Sequence, residues 1–367
     1  MAFDQQLSGR LIGGGDFAAS VTVAVDGAIV HTGAYGVRFP VLAAPPAPAP
    51  VPPPVPGETP AATPEPPPAT AAAVTPVELV DSTDRFRIAS LSKVITAIVV
   101  LQLVEAGQLG LDEAVGGRLA VQVGATPVDP AGNNITVRQL LSHTAGFPSY
   151  QRAFFNASAD SCPTMGRIGL SAPLQNPPGA AYLYSNLNFC LLGLLIEQVS
   201  GRGYQAVVDE LLLEPLGITG MRLAGTFDAG ESEVLHPSSP GRNYMEVLGA
   251  AGSWVATPSD MVRIVDSLDL TKPGFHPLSS ATVDLMRQPA PPPVVYDRPD
   301  RWYGLGLIVT ADGAFGHTGT IENAHSMVLH RPDGVTWSVL VSGENPWNSD
   351  QLRRIFDESI YSAGVVL

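Results

Sequence analysis

The sequence predicts an α/β protein: one antiparallel sheet assembled from N- and C-terminal segments and flanked by helices, with a mostly helical lobe inserted between them. Three observations carry this. Strand-like runs with tight-turn signals lie near the start of the chain and again after residue 300, runs at helical spacing fill the interval, and 45% of the 367 residues are hydrophobic, enough for a substantial core.

The first element is a hairpin over residues 17–36, where Val21, Val23 and Val25 alternate and Asp26-Gly27 supplies the turn. Residues 40–77 then change character, with 15 prolines and no lysine or arginine. Such a segment favours solvated polyproline conformations and cannot close a core, so it reads as a flexible insertion. Its VPPPVP and PEPPP runs also allow a proline-rich docking ligand for another protein.

Past residue 80, Ile88, Leu91, Ile95, Ile98, Leu101 and Val104 recur at helical spacing and predict an amphipathic helix over 89–106. A second apolar helix is expected over 187–199, with further helices near 136–142, 203–213 and 258–269. Beyond the prolines at 289–293, strands are expected over 303–310, 324–330 and 336–341, followed by a closing helix over 350–362. The expected organisation is therefore an α/β unit from 1–39 and 285–367, an insertion over 40–79, and a helical region over 80–284, with a cleft between the lobes.

Twenty basic residues stand against 34 acidic ones, net −14, a surface that repels phosphate backbones and anionic lipid heads. No nucleic-acid partner is expected, and no run reaches the length of a membrane span. The opening MAFDQQLSGR has neither the basic nor the apolar region of a secretory leader, which points to a cytoplasmic product as written and to an extracytoplasmic one if the sequence is a trimmed mature form. Two cysteines are too few for a disulfide scaffold or a zinc cage, and Cys190, in an apolar run, reads as a core thiol.

Only two lysines occur, Lys93 and Lys272. Lys93 follows Ser90 by three positions at a helix start, so one face presents both side chains. A serine hydroxyl is a poor nucleophile until a neighbour takes its proton, and a lysine can do so once apolar surroundings lower its pKa. The bland alternative is a capping serine and a snorkelling lysine. Two further segments weigh against it: Tyr184-Ser185-Asn186 after a Pro-Pro-Gly turn, and His317-Thr318-Gly319-Thr320 ahead of an expected strand. Ser-x-x-Lys, a Ser-Asp-Asn element and Lys-Thr-Gly are the three elements of penicillin-recognising serine enzymes. This chain carries them in order as SLSK, YSN and HTG.

The chain resembles the serine β-lactamase and penicillin-binding-protein superfamily, in the branch holding class C β-lactamases, D-alanyl-D-alanine carboxypeptidases, D-aminopeptidases and family VIII esterases. The matching segments are TDRFRIASLSK (83–93), ITVRQLLSHTAGFP (135–148), PPGAAYLYSNLNFCLLGLLIEQVSG (177–201), WYGLGL (302–307) and FGHTGT (315–320). The resemblance implies a β-lactamase-like fold and an acyl-enzyme on Ser90. Lys93 would accept or relay its proton, and Tyr184 would act as base in acylation and as acid toward the leaving group. It further implies that Asn186 holds the substrate amide, that the N–H groups of Ser90 and Thr320 form the oxyanion hole, and that Thr318 and Gly319 flank the substrate. His317 stands where many relatives have lysine, so a local charge that varies near neutral pH is expected.

One departure concerns substrate. Carboxypeptidase relatives have an arginine after GLGL that holds a terminal carboxylate, whereas here Ile308 follows Leu307. Arg298 and Arg301 are the nearby substitutes, and a more apolar acyl or ester pocket is the simpler expectation. His143 reads as a loop-bracing residue. His325 and His330 have no acidic or cysteine partner at ligand spacing, so neither a metal nor a cofactor is expected. The expected function is a serine hydrolase acting on amide, lactam or ester bonds of a small molecule or peptide, with esterase and carboxypeptidase readings ahead of β-lactamase. The alternatives are an acyltransferase or peptide-cyclising enzyme and a non-catalytic binding protein.

Overall fold

Asp26 and Gly27, both at positive φ (+48° and +82°), close the first hairpin with the backbone that a two-residue Asp-Gly turn requires. The computed structural model describes residues 2–12, 16–39, 78–156, 158–343 and 349–362. Within them lie ten strands: β1 (Asp16–Val25), β2 (Ala28–Gly36), β3 (Phe86–Arg87), β4 (Arg222–Leu223), β5 (Trp254–Ala256), β6 (Arg301–Tyr303), β7 (Ile308–Thr310), β8 (Phe315–Ile321), β9 (Ala324–His330) and β10 (Val335–Gly343). Seven of them form one antiparallel sheet in the order β2-β1-β10-β9-β8-β7-β6, while β3, β5 and β4 form a small second sheet.

Each face of the large sheet is covered differently. The helices Ala2–Leu11 and Ser349–Ser362 lie on one face, where Leu7, Leu11, Val21, Val23 and Trp337 pack with Phe356, its ring stacked 4.6 Å from that of Trp337. Across the opposite face runs the helix Pro258–Asp266, with Ser259 Oγ 2.9 Å from Thr22 Oγ1. Beyond it lies the larger core around the helix Ser92–Glu105. β10 is buried on both sides, so it carries apolar and small hydroxyl residues instead of a clean polar alternation.

The proline-rich residues 40–77, expected to form a flexible insertion, lie outside the described residues. On either side of them the chain is pinned to itself: Val37 bridges Leu79, the Arg38 N–H donates to the Glu78 carbonyl and the Val80 N–H to the Gly36 carbonyl.

Four expectations need correction. The Ser92–Glu105 helix is not amphipathic, because every residue from Ser92 to Leu101 is buried and it runs as a central helix enclosed on all sides. The expected strand over 303–310 is two strands, β6 and β7, joined by a tight turn in which the Gly304 N–H donates to the Leu307 carbonyl. Gly306 takes φ +82° there, and a Cβ on it would lie 2.3 Å from that of Ala97, so a run of strand composition conceals a turn that only glycine can make. His317-Thr318-Gly319-Thr320 does lie ahead of the strand expected over 324–330, which is β9, but it forms a strand of its own, β8, that was not expected. Cys190 is not a free thiol: the helix Cys162–Leu170 packs its first turn against the helix Asn186–Ser200, and Cys162 and Cys190 are joined in a disulfide with Cα atoms 5.7 Å apart. The helix Ala2–Leu11 was not expected at all, since Leu7 and Leu11 give only a single turn of apolar spacing. Among the described residues no helix is long and apolar enough to cross a membrane.

Candidate active site

Ser90 lies in a single 3-10 turn, Ala89–Leu91, that leads into the Ser92–Glu105 helix. Buried Ala89 takes φ +48°, a left-handed conformation that costs a residue with a Cβ roughly 1–3 kcal/mol. The turn leaves Ser90 partly exposed between the buried Ala89 and Leu91. β8 passes directly alongside. A Cβ on Gly319 would lie 2.7 Å from the Ile88 carbonyl oxygen and 2.9 Å from Ser90 N, so only glycine lets this strand's backbone approach the serine amide.

Two of the sequence-predicted residues, Lys93 and Tyr184, contact Ser90, and a third, Asn186, holds Lys93. Lys93 Nζ is 3.0 Å from Ser90 Oγ, 2.9 Å from Asn186 Oδ1 and 2.7 Å from the Ala251 carbonyl oxygen. Tyr184 Oη donates to Ser90 Oγ at 3.0 Å. Asn186 opens the Asn186–Ser200 helix, and Tyr184 lies in the loop before it. Lys93 is fully buried and its three partners are all neutral, so burial holds its pKa well below the usual lysine value. A neutral amine has two hydrogens and one lone pair. In that form, with both hydrogens given to the Asn186 and Ala251 oxygens, which can only accept, the lone pair would be left for the Ser90 hydroxyl. Burial pushes the Tyr184 phenol upward, partly offset by its bond to Ser90, so it carries its proton at neutral pH. The arrangement is a chain of hydroxyl to hydroxyl to amine, able to draw a proton from Ser90 and to offer one from Tyr184.

His317 does not behave as expected. It is 2% exposed, and burial pushes its pKa down to about 3. No charge therefore switches there near neutral pH. Its Nδ1 faces the Thr318 carbonyl oxygen at 2.6 Å, which assigns the proton to Nδ1, and Nε2 accepts from Tyr303 Oη at 3.0 Å. Thr318 is half-buried and Thr320 exposed on the same strand.

His143 braces the loop that carries Tyr184, as expected. Its carbonyl accepts the Leu183 N–H at 2.9 Å, its Nδ1 accepts the Ser185 N–H at 3.3 Å, and its ring lies 4.3 Å from that of Tyr184. Tyr303, which contacts both His143 and His317, was missed. Its position within WYGLGL was the available signal.

His330, which has no acidic partner at ligand spacing in the sequence, meets Asp266 at 3.4 Å and Asp269 at 3.5 Å, contributed from more than sixty residues earlier in the chain. Lys272 Nζ, 2.5 Å from Asp266 and buried like Lys93, shares that cluster and makes it an ion-pair network. Arg298 pairs with Asp300 and Asp350, and Arg301 with Asp350.

Fold and site define the class of protein: the superfamily of serine β-lactamases and penicillin-binding proteins, serine hydrolases built on this frame. The chain belongs to the β-lactamase family, whose model, described as "Beta-lactamase", matches residues 9–361. It is 30% identical over 344 residues to monacolin J acid methylbutanoyltransferase of Aspergillus terreus, covering 75% of this chain and 81% of the relative. Among solved structures it resembles the D-amino acid amidase from Ochrobactrum anthropi SV3 complexed with L-phenylalanine, with a TM-score of 0.70 and 19% identity over 99% of this chain and 98% of that one. It also resembles the octameric penicillin-binding protein homologue from Pyrococcus abyssi, with a TM-score of 0.70 and 18% identity over 98% and 75% of the two chains. At these identities the structures share the fold.

Proposed function

We propose that this chain hydrolyses esters or amides through an acyl-enzyme on Ser90. The observation that carries the reading is the pair of 3.0 Å contacts to Ser90 Oγ, one from the buried Lys93 amine and one from the Tyr184 phenol. Lys93 takes the Ser90 proton as Oγ attacks the carbonyl carbon. The N–H groups of Ser90 and Thr320 receive the oxyanion, and Tyr184 gives its proton to the departing oxygen or nitrogen. The Lys93 ammonium, seated over the Tyr184 ring, returns that proton to the Tyr184 phenolate, since the acylated Ser90 Oγ has none to relay, and water then repeats the sequence to release the acid. Asn186 fixes the Lys93 amine, and neutral His317 orients Tyr303 behind it. The expectation that Tyr184 serves as the base gives way to Lys93, because the phenol is the harder of the two groups to deprotonate.

The test is intact-protein mass spectrometry after incubation with p-nitrophenyl acetate and with a β-lactam. The expected result is an acyl adduct that Ser90→Ala abolishes; an adduct that survives in the variant overturns the assignment. A second reading, transfer of the acyl group to an alcohol or amine, is favoured by the relative named as a methylbutanoyltransferase. Added alcohols would then divert product from acid to ester.

A further inference from the structure

An aromatic wall leads away from Ser90. The Tyr184 ring is 6.0 Å from Tyr303, Tyr303 is 5.9 Å from Tyr182, and Tyr182 is 5.2 Å from Tyr296, so four of the nine tyrosines of the chain are contiguous. The far end of this wall opens into a cleft of about 250 Å³ lined by Tyr182, Tyr296, Trp302, Tyr303, Ile308 and Thr318. A cavity of ~150 Å³ holds benzene, so this one has room for a substituted ring or a branched alkyl group.

The charges at its rim are already paired. Arg298 donates to Asp300 and Asp350, Arg301 donates to Asp350, and Asp297 adds a third carboxylate. A substrate carboxylate entering here would have to displace Asp350 from both guanidinium groups and would meet two further negative charges. An uncharged ring meets tyrosine and tryptophan faces and the Ile308 side chain, with nothing to displace.

The side of the reaction this cleft serves follows from Tyr184, the group that offers a proton to the departing atom. The cleft is reached from Tyr184 by way of Tyr303, whose ring lies 6.0 Å from that of Tyr184 and which lines the cleft. We infer that Tyr182, Trp302 and Ile308 form a leaving-group subsite for an uncharged aromatic or branched apolar alcohol or amine, and that Asp350 excludes carboxylate-bearing leaving groups by occupying Arg298 and Arg301. This rests on the acyl-enzyme reading and narrows its substrate class to neutral esters and amides.

The experiment holds the acyl group constant and compares acetate esters of benzyl alcohol, ethanol and glycolic acid. The expected kcat/KM for benzyl acetate exceeds that for the other two by tenfold or more. Tyr182→Ala brings the benzyl-to-ethyl ratio close to one, and Asp350→Asn raises the glycolate-to-ethyl ratio about tenfold. A glycolate ester that rivals the benzyl ester in the unaltered protein, or a benzyl preference untouched by Tyr182→Ala, overturns the inference. Binding separates this from the chemistry: saturation-transfer NMR of benzyl alcohol with Ser90→Ala protein needs no acyl-enzyme. Binding that is lost on adding Tyr182→Ala supports the subsite even if no ester is turned over, and its absence in Ser90→Ala overturns it.

Discussion

Asn186 Oδ1 accepts from Lys93 Nζ at 2.9 Å, joining the first turns of two buried helices and leaving the amine with neutral partners only. Replacing that amide with a carboxylate of the same shape tests what neutrality is for. Asn186→Asp gives Lys93 a counter-ion, which favours the ammonium form and removes the lone pair from Ser90. At pH 7 kcat/KM for a neutral ester is expected to fall about a hundredfold, with partial recovery as pH rises and the ammonium deprotonates. A pH–rate profile superimposable on that of the parent would sink the base assignment.

The buried histidines set a response to acid. His317 has a folded pKa of about 3 against an ordinary value of 6.5, so between those values the unfolded chain binds a proton that the folded one does not. Stability therefore falls as pH drops through that window. One such proton corresponds to about 1.4 kcal/mol per pH unit. His317→Gln is expected to reduce the slope of unfolding free energy against pH by about that amount between pH 4.5 and 5.5, measured by urea denaturation at several pH values. An unaltered slope would mean that His317 is not neutral in the fold.

Gly319 offers a test of spacing. Because an added Cβ would strike the Ile88 carbonyl and the Ser90 amide, Gly319→Ala must push β8 away from the serine. The expected outcome is a drop of a hundredfold or more in kcat, with KM and thermal midpoint much less affected. Should kcat survive, β8 does not contribute to the oxyanion site.

The disulfide encloses a 28-residue separation, for which loop-closure entropy corresponds to about 3.6 kcal/mol. Its Cys190 end lies one turn beyond Asn186 on the same helix. Cys162→Ser with Cys190→Ser should therefore lower stability by about 3.6 kcal/mol in urea and broaden the pH–rate profile of the site. Equal stability of reduced and oxidised protein would contradict a closed bridge.

What the sequence made legible was local. Ser90 and Lys93 are three residues apart on one turn, and Tyr184 and Asn186 flank a helix start, so chain proximity alone places each pair. The alternating valines with Asp26-Gly27 likewise foretold a hairpin. Features made by distant segments were not legible: His330 meets Asp266 and Asp269 only because β9 packs against the end of the Pro258–Asp266 helix. The same holds for Cys162 meeting Cys190, and for the near-complete burial of His317, which depends on Tyr303 from another strand. A charge expectation built on residue type failed at His317 because burial, not type, decides its protonation.

Both lysine side chains of this protein end in the interior, one against Ser90 and the other against Asp266. Succinimidyl esters, aldehydes and imidates, the common reagents for tagging or immobilising proteins, thus meet no exposed lysine amine. Coupling to a support through a lysine is thereby closed, which leaves the α-amine, carboxylates and guanidinium groups. For the same reason an electrophile shaped to enter the cleft meets Ser90 without competition from surface lysine amines, which makes that single hydroxyl addressable by a covalent probe in the unmodified protein.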